Sequence, residues 1–331
     1  MAIGCLLFYT DNSAGNRCPE NDRLDWEMRL LSMLLNPAII GLLALVLSVI
    51  WMIRDERDKT RPLLVLALTL NLFYGFLLTV FMGREGSLFP LKYDPVLFRV
   101  DAALGFSNAS IAVPLQGVWR LPLVVIYNSM IPMMICWFLV TRYRNIRGSV
   151  VLAYVAELIA GPMLYAVLPA CGPIYAFGAL WLHPPTVTAT TIRLAGMPNA
   201  FPSLHFGTAL VLVFFAPGKL WRTVALAFLA GTGLATLSTG EHYVIDLVSG
   251  AAFGCFAASV GLRKVKSAIL FLGVMLLWAL AVRFQSGFLI LHPTLPQLFA
   301  ALTLALAILT VIREWSRPVE SASILQAAPG A

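Results

Sequence analysis

Two histidines and one aspartate carry the spacing of a reaction centre. His205 follows Phe201-Pro202-Ser203-Leu204, and His242 opens the segment His242-Tyr243-Val244-Ile245-Asp246. Four residues on a helix put His242 and Asp246 on one face, within hydrogen-bonding reach. A carboxylate on one imidazole nitrogen fixes the tautomer and makes the other nitrogen more basic. One imidazole then suits a nucleophile and the other an acid and base, the division that group transfer needs. Pro202 before Ser203 suits a helix entry, with the Ser203 hydroxyl placed to cap it or to donate to an oxyanion. The chain holds four histidines. His183 and His292 have no such companions and read as solvated residues at helix ends.

These groups need an apolar frame. The chain has 331 residues, 60% hydrophobic and 12% charged, with a mean hydropathy of +0.85. Soluble domains run about 45–50% apolar and about 25% charged, so a soluble enzyme and a disordered protein are excluded. A membrane-spanning helix needs about 17–25 apolar residues. Nine runs are candidates by that measure: 36–53, 62–82, 121–141, 149–168, the slightly short 203–218, 222–239, 243–262, 267–283 and 294–312. They are continuously apolar and lack the alternation of a barrel. The expected fold is therefore all-α, a polytopic membrane bundle of about nine transmembrane helices. Residues 1–35 form an extracytoplasmic lead, 36–312 the transmembrane domain, and 313–331 a disordered cytoplasmic tail. Five cysteines without a CxxC pair indicate neither a zinc site nor a disulfide framework. No metal and no cofactor are expected.

The net charge of +7 does not point to nucleic acid, because the cations lie in short loops between spans. One set of loops holds Arg54, Arg57, Lys59 and Arg61, then Arg142, Arg144 and Arg147, Lys219 and Arg222, Arg263, Lys264 and Lys266, and Arg313 and Arg317. The opposite segments are longer and sparser in charge. The positive-inside rule then puts the N-terminus outside and the C-terminus in the cytoplasm. Span five runs inward from His205 and span six returns, and legs of about 25 Å each cancel. Both histidines thus fall at helix N-termini near the outer surface, where backbone N–H groups favour an anion such as phosphate.

The two motifs resemble the type 2 phosphatidic acid phosphatase superfamily, whose members carry Pro-Ser-x-His and a later His-x-x-x-Asp. Pro202, Ser203 and His205 match the first motif, and His242 and Asp246 the second. The resemblance implies a six-helix catalytic core over about residues 90–262 and a metal-independent mechanism. In that mechanism His242 attacks phosphorus to form a phosphohistidine, and Asp246 orients it. His205 protonates the leaving oxygen and then activates the acceptor.

Departures from the pattern narrow the branch. Superfamily phosphatases usually place an Arg six residues before the nucleophile, where this chain has Thr236. The nearest approach to their upstream KxxxxxxRP is an RxxxxxxRP at Arg54 to Arg61-Pro62, which lies across the membrane from the histidines and reads as coincidence. His242-Tyr243, the stretch Tyr93-Asp94-Pro95-Val96-Leu97 through Asp101, and Pro169-Ala170-Cys171-Gly172-Pro173 resemble the inositol phosphorylceramide synthase-like lipid phosphotransferases. The resemblance implies a phosphotransferase acting on lipid substrates at the extracytoplasmic face. A lipid phosphate phosphatase is the alternative. Arg193 and Arg120 are the outward cations placed to meet phosphate, with Lys92 and Arg99 behind them. Asp94 and Asp101 are each a structural cap, an ion-pair partner of Arg99 or an acceptor-headgroup contact, and Tyr243 an interfacial anchor or a substrate contact. Glu241 reads as a solvated loop acid. Gly250-x-x-x-Gly254 predicts a close helix approach.

Overall fold

A computed structural model describes residues 86, 88–143, 148–184, 188–194 and 196–316. The expected spans 36–53 and 62–82, the lead 1–35, most of the tail, and Arg54 to Arg61 lie outside these residues. Within them the chain forms a helical membrane bundle. Its helices are α1 (Asp94–Leu104), α2 (Asn108–Ala112), α3 (Arg120–Asn128), α4 (Met130–Tyr143), α5 (Val150–Val167), α6 (Pro173–Phe177), α7 (Leu204–Phe214), α8 (Gly218–Ser238), α9 (Val244–Gly261), α10 (Val265–Leu291) and α11 (Thr294–Trp315). A two-residue antiparallel ribbon joins β1 (Leu91–Lys92) to β2 (Ile192–Arg193), with Leu91 opposite Arg193 and Lys92 opposite Ile192.

Five of these helices, α5, α8, α9, α10 and α11, are long and apolar enough to cross a membrane. They correspond to the expected spans at 149–168, 222–239, 243–262, 267–283 and 294–312. Two expected spans differ. The stretch 121–141 is two helices bent by 51° on either side of Ser129. Its hydroxyl and amide both bond the Val125 carbonyl, closing α3 before α4 begins. The stretch 203–218 contains only the eleven residues of α7, roughly 16 Å of helix against a hydrocarbon core of about 30 Å. Periodicity missed this because α7 is a buried core helix. Its residues from Gly207 to Phe214 are all buried, so its apolar run records packing against protein rather than lipid.

At the centre lies α9, 83% buried, against 28% for α11 at the edge. Small residues make this possible, since Ser249, Gly250, Ala251, Ala252 and Gly254 let neighbouring backbones close in. A Cβ on Gly254 would lie 2.5 Å from the Gly207 carbonyl oxygen, and one on Gly250 would lie 2.8 Å from that of Ser203. The expected close approach at these glycines is therefore between α9 and α7, the two helices bearing the motifs. Around them pack α5, α10 and α11, and Trp137 of α4 donates to the Leu212 carbonyl of α7 at 2.7 Å.

Candidate active site

The turn from α8 into α9 sets the height of His242. Gly240 adopts a left-handed φ of +74° and its amide bonds the Leu237 carbonyl. The Glu241 amide reaches back to the Thr236 carbonyl at 3.1 Å, completing a Schellman closure that glycine at this position permits. His242 also donates its amide to Thr236, at 3.3 Å, so the chain folds back along α8. The two legs themselves are unequal, with eleven residues in α7 and twenty-one in α8, which simple cancellation did not anticipate.

On α7 the Ser203 hydroxyl accepts the Phe206 amide at 3.3 Å, the capping role read from sequence. Its own amide donates to the Asp246 carbonyl at 3.0 Å, tying the first motif to the second. The His205 and His242 ring centroids are 6.3 Å apart, with planes inclined at 62°. His242 is 3% exposed and Asp246 fully buried, while His205 is half-buried.

His242 is oriented differently from the simplest expectation. Its Nδ1–H donates to the Ala200 carbonyl at 2.8 Å, whereas Asp246 Oδ2 stands 3.4 Å away. That Asp246 oxygen accepts the Tyr243 amide at 2.8 Å. A backbone carbonyl thus holds the tautomer, leaving Nε2 with the lone pair. Burial pushes the imidazole down to about 4, against the opposing pull of Glu241 and the Ala200 bond. His242 is accordingly neutral at physiological pH, the form a nucleophile requires.

The N-terminus of α9 is not open to an anion, as the helix-end argument proposed. Asp101 Oδ2 accepts the Val244 amide at 2.6 Å and Oδ1 the Ile245 amide at 2.9 Å. No sequence rule joins residues 143 apart, so this contact belongs to the fold alone.

Asp94 is fully enclosed. It accepts the Gly172 amide at 2.8 Å, the Cys171 amide at 3.1 Å and the Tyr243 hydroxyl at 3.0 Å. One carboxylate thereby joins the Tyr93-to-Leu97, Pro169-to-Pro173 and His242-Tyr243 stretches that sequence singled out separately. It caps the Cys171–Gly172 turn, the structural role read from sequence. Tyr243 is buried to 0% exposure and is no interfacial anchor. Glu241, expected as a solvated acid, is half-buried and accepts the Tyr175 hydroxyl at 2.7 Å. His183 and His292 are exposed, as read.

Of the two expected phosphate cations, Arg193 lies exposed on β2 and Arg120 exposed at the start of α3. Arg99 donates to the Thr188 and Ala189 carbonyls, and the buried Lys92 to the Phe89 carbonyl. Lys92 and Arg99 also stand seven apart, a Lys-x6-Arg spacing like that sought at Arg54 to Arg61, although Val100 rather than proline follows Arg99. That spacing was the available signal. Tyr127 of α3, its ring stacked on His205 at 4.2 Å and 18°, left no signal, because nothing local links the two. Glu157 in mid-α5 was also missed, although an acid inside an apolar span marks itself. Its Oε2 accepts the Thr208 hydroxyl at 2.8 Å, one turn along α7 from His205.

Comparison with known proteins fits this arrangement. The family model for the PAP2 superfamily matches residues 95–260, from the second residue of α1 into the last turn of α9. No curated protein and no solved structure matches the chain significantly. The match spans half of the chain and contains both motifs, and the chain belongs to the PAP2 superfamily.

Proposed function

We propose that this membrane protein is a lipid phosphotransferase, moving a phosphate-linked headgroup through a phosphohistidine on His242. The observation that carries the proposal is the bond from His242 Nδ1–H to the Ala200 carbonyl, with the His205 ring nearby. It presents a neutral imidazole with Nε2 unprotonated beside a second imidazole.

In the first step Nε2 of His242 bonds phosphorus and the bond from phosphorus to the leaving oxygen breaks. Protonated His205 gives its proton to that oxygen. In the second step His205 takes the proton of an acceptor hydroxyl. The acceptor oxygen bonds phosphorus and Nε2 leaves, restoring both histidines. The nearby Asp246 carboxylate favours the positive charge that the phosphorylated ring carries. Exposed Arg193 and Arg120 supply the counter-charge for the phosphate, and Ser203 supports the end of α7.

Transfer rather than hydrolysis is favoured by Thr236, fully buried where superfamily phosphatases carry Arg, and by the His242-Tyr243 pair. The Tyr243 hydroxyl is tied into the Asp94 junction, which links the stretches that resemble inositol phosphorylceramide synthase-like enzymes. Loop charge supports a reaction on the extracytoplasmic side, with the N-terminus outside and the C-terminus in the cytoplasm.

The experiment is a lipid-extract incubation of purified protein scored by mass spectrometry, wild type against His242→Ala. A new headgroup-bearing lipid that depends on His242 is expected. Release of free phosphate without transfer assigns the chain to the lipid phosphate phosphatases instead. Wild-type turnover by His242→Ala overturns the nucleophile.

A further inference from the structure

The short helix α1 carries two aspartates that the phosphoryl chemistry does not use. Asp94 and Asp101 stand seven residues apart, two turns along one face. Both are buried, and both bind the chain that follows His242. Asp94 takes the Tyr243 hydroxyl; Asp101 takes the Val244 and Ile245 amides. A helix start is ordinarily satisfied by its own cap, by water or by a bound anion. Here a carboxylate from a distant helix fills that place, so the direction of α9 at His242 depends on where α1 sits.

That helix is itself firmly seated. Val96, Leu97 and Val100 are fully buried, and α1 packs against α10 and α11. The Gln297 side chain of α11 donates to the Ala103 carbonyl at 2.9 Å. The pattern Asp94, Leu97, Asp101, Leu104 is an amphipathic helix stripe in which two of the four inward positions are acids. Buried carboxylates are costly without partners, and these find theirs in the backbone amides and the hydroxyl around the nucleophile.

We propose that Asp101 is a positioning residue for His242. Its carboxylate caps α9 from α1, closes the α9 amides to the substrate phosphate, and holds the backbone that aims the His242 ring at the Ala200 carbonyl. It touches neither substrate nor the reacting atoms. The assignment rests on His242 being the nucleophile, and the test separates the two.

Wild type, His242→Asn, Asp101→Ala and Asp101→Asn are purified in detergent and assayed in mixed micelles of a lipid extract, with both the new headgroup-bearing lipid and any released phosphate scored as turnover. Asp101→Ala is expected to lose roughly 10- to 100-fold in kcat, the cost of a small misplacement of a reacting group. KM stays near the wild-type value, because no ground-state contact is removed. Asp101→Asn retains one acceptor oxygen for the two amides and recovers part of the loss. Amide exchange in the peptide covering 242–246 is faster in Asp101→Ala while the rest of α9 keeps its protection. A merely structural role predicts a lower unfolding midpoint with unchanged kcat per folded molecule, and that result overturns the proposal. Where Asp101→Ala yields no folded protein, unchanged kcat and exchange in Asp101→Asn overturn it equally. Wild-type turnover by His242→Asn removes the nucleophile reading itself. An inactive His242→Asn beside a fully active Asp101→Ala removes only the positioning role.

Discussion

The Nδ1 nitrogen of His242 lies 2.8 Å from the Ala200 carbonyl oxygen and 3.4 Å from Oδ2 of Asp246. The backbone just before the first motif therefore orients His242, the proposed nucleophile of the second. Asp246→Asn keeps Nδ1–H on Ala200 and an oxygen for the Tyr243 amide, losing chiefly the negative charge. Turnover is expected to fall by roughly 10- to 100-fold, far less than the loss in His242→Asn. Equal loss in the two variants, measured on folded protein, would show that Asp246 rather than Ala200 sets the tautomer.

The glycines between α7 and α9 set the distance between the motifs. Gly254→Ala places a methyl 2.5 Å from the Gly207 carbonyl oxygen, on backbone that cannot turn aside. A destabilisation of about 1–3 kcal/mol is expected, with reduced turnover as α7 moves away. Gly273→Ala on α10 is the control: its Cβ meets nothing within 4 Å, and alanine gains up to about 1 kcal/mol of helix propensity. Thermal unfolding in detergent compares them, and equal midpoints would contradict the close contact.

His242 predicts a pH effect whose sign is set by burial. Its ordinary value is 6.5 and the folded value about 4, so the unfolded chain takes up a proton first as pH falls. Its contribution to stability is complete above 6.5, declines from 6.5 to about 4, and changes no further below that. NMR of the labelled ring should find it neutral at pH 5.5. Titration near 6.5 would contradict a buried neutral nucleophile.

Glu157 predicts a tolerant site. Its Oε2 accepts from Thr208, while Oε1 has no hydrogen-bond partner among the described residues. Glu157→Gln keeps an acceptor for Thr208 and removes the capacity for buried charge. The unfolding midpoint should hold or rise, with turnover retained, since a buried acid held by a single hydroxyl contributes little to stability. A large loss of turnover in folded Glu157→Gln would give this carboxyl a part in the chemistry.

Sequence alone determined the membrane class, five of the long helices, the two motifs and the Gly250–Gly254 contact. These follow from local quantities: an apolar run long enough for a bilayer, a four-residue spacing, a side chain too small to obstruct. The tertiary structure decided what depends on partners far along the chain. It made α7 a half-length buried helix, because apolar residues look alike whether they face lipid or protein. It gave Asp94 to Cys171, Gly172 and Tyr243, and Asp101 to the start of α9, because a buried carboxylate goes where the fold leaves donors. Backbone carbonyls are the same at every position, so the choice of Ala200 for His242 had no sequence signature and came only from how α7 and α9 meet.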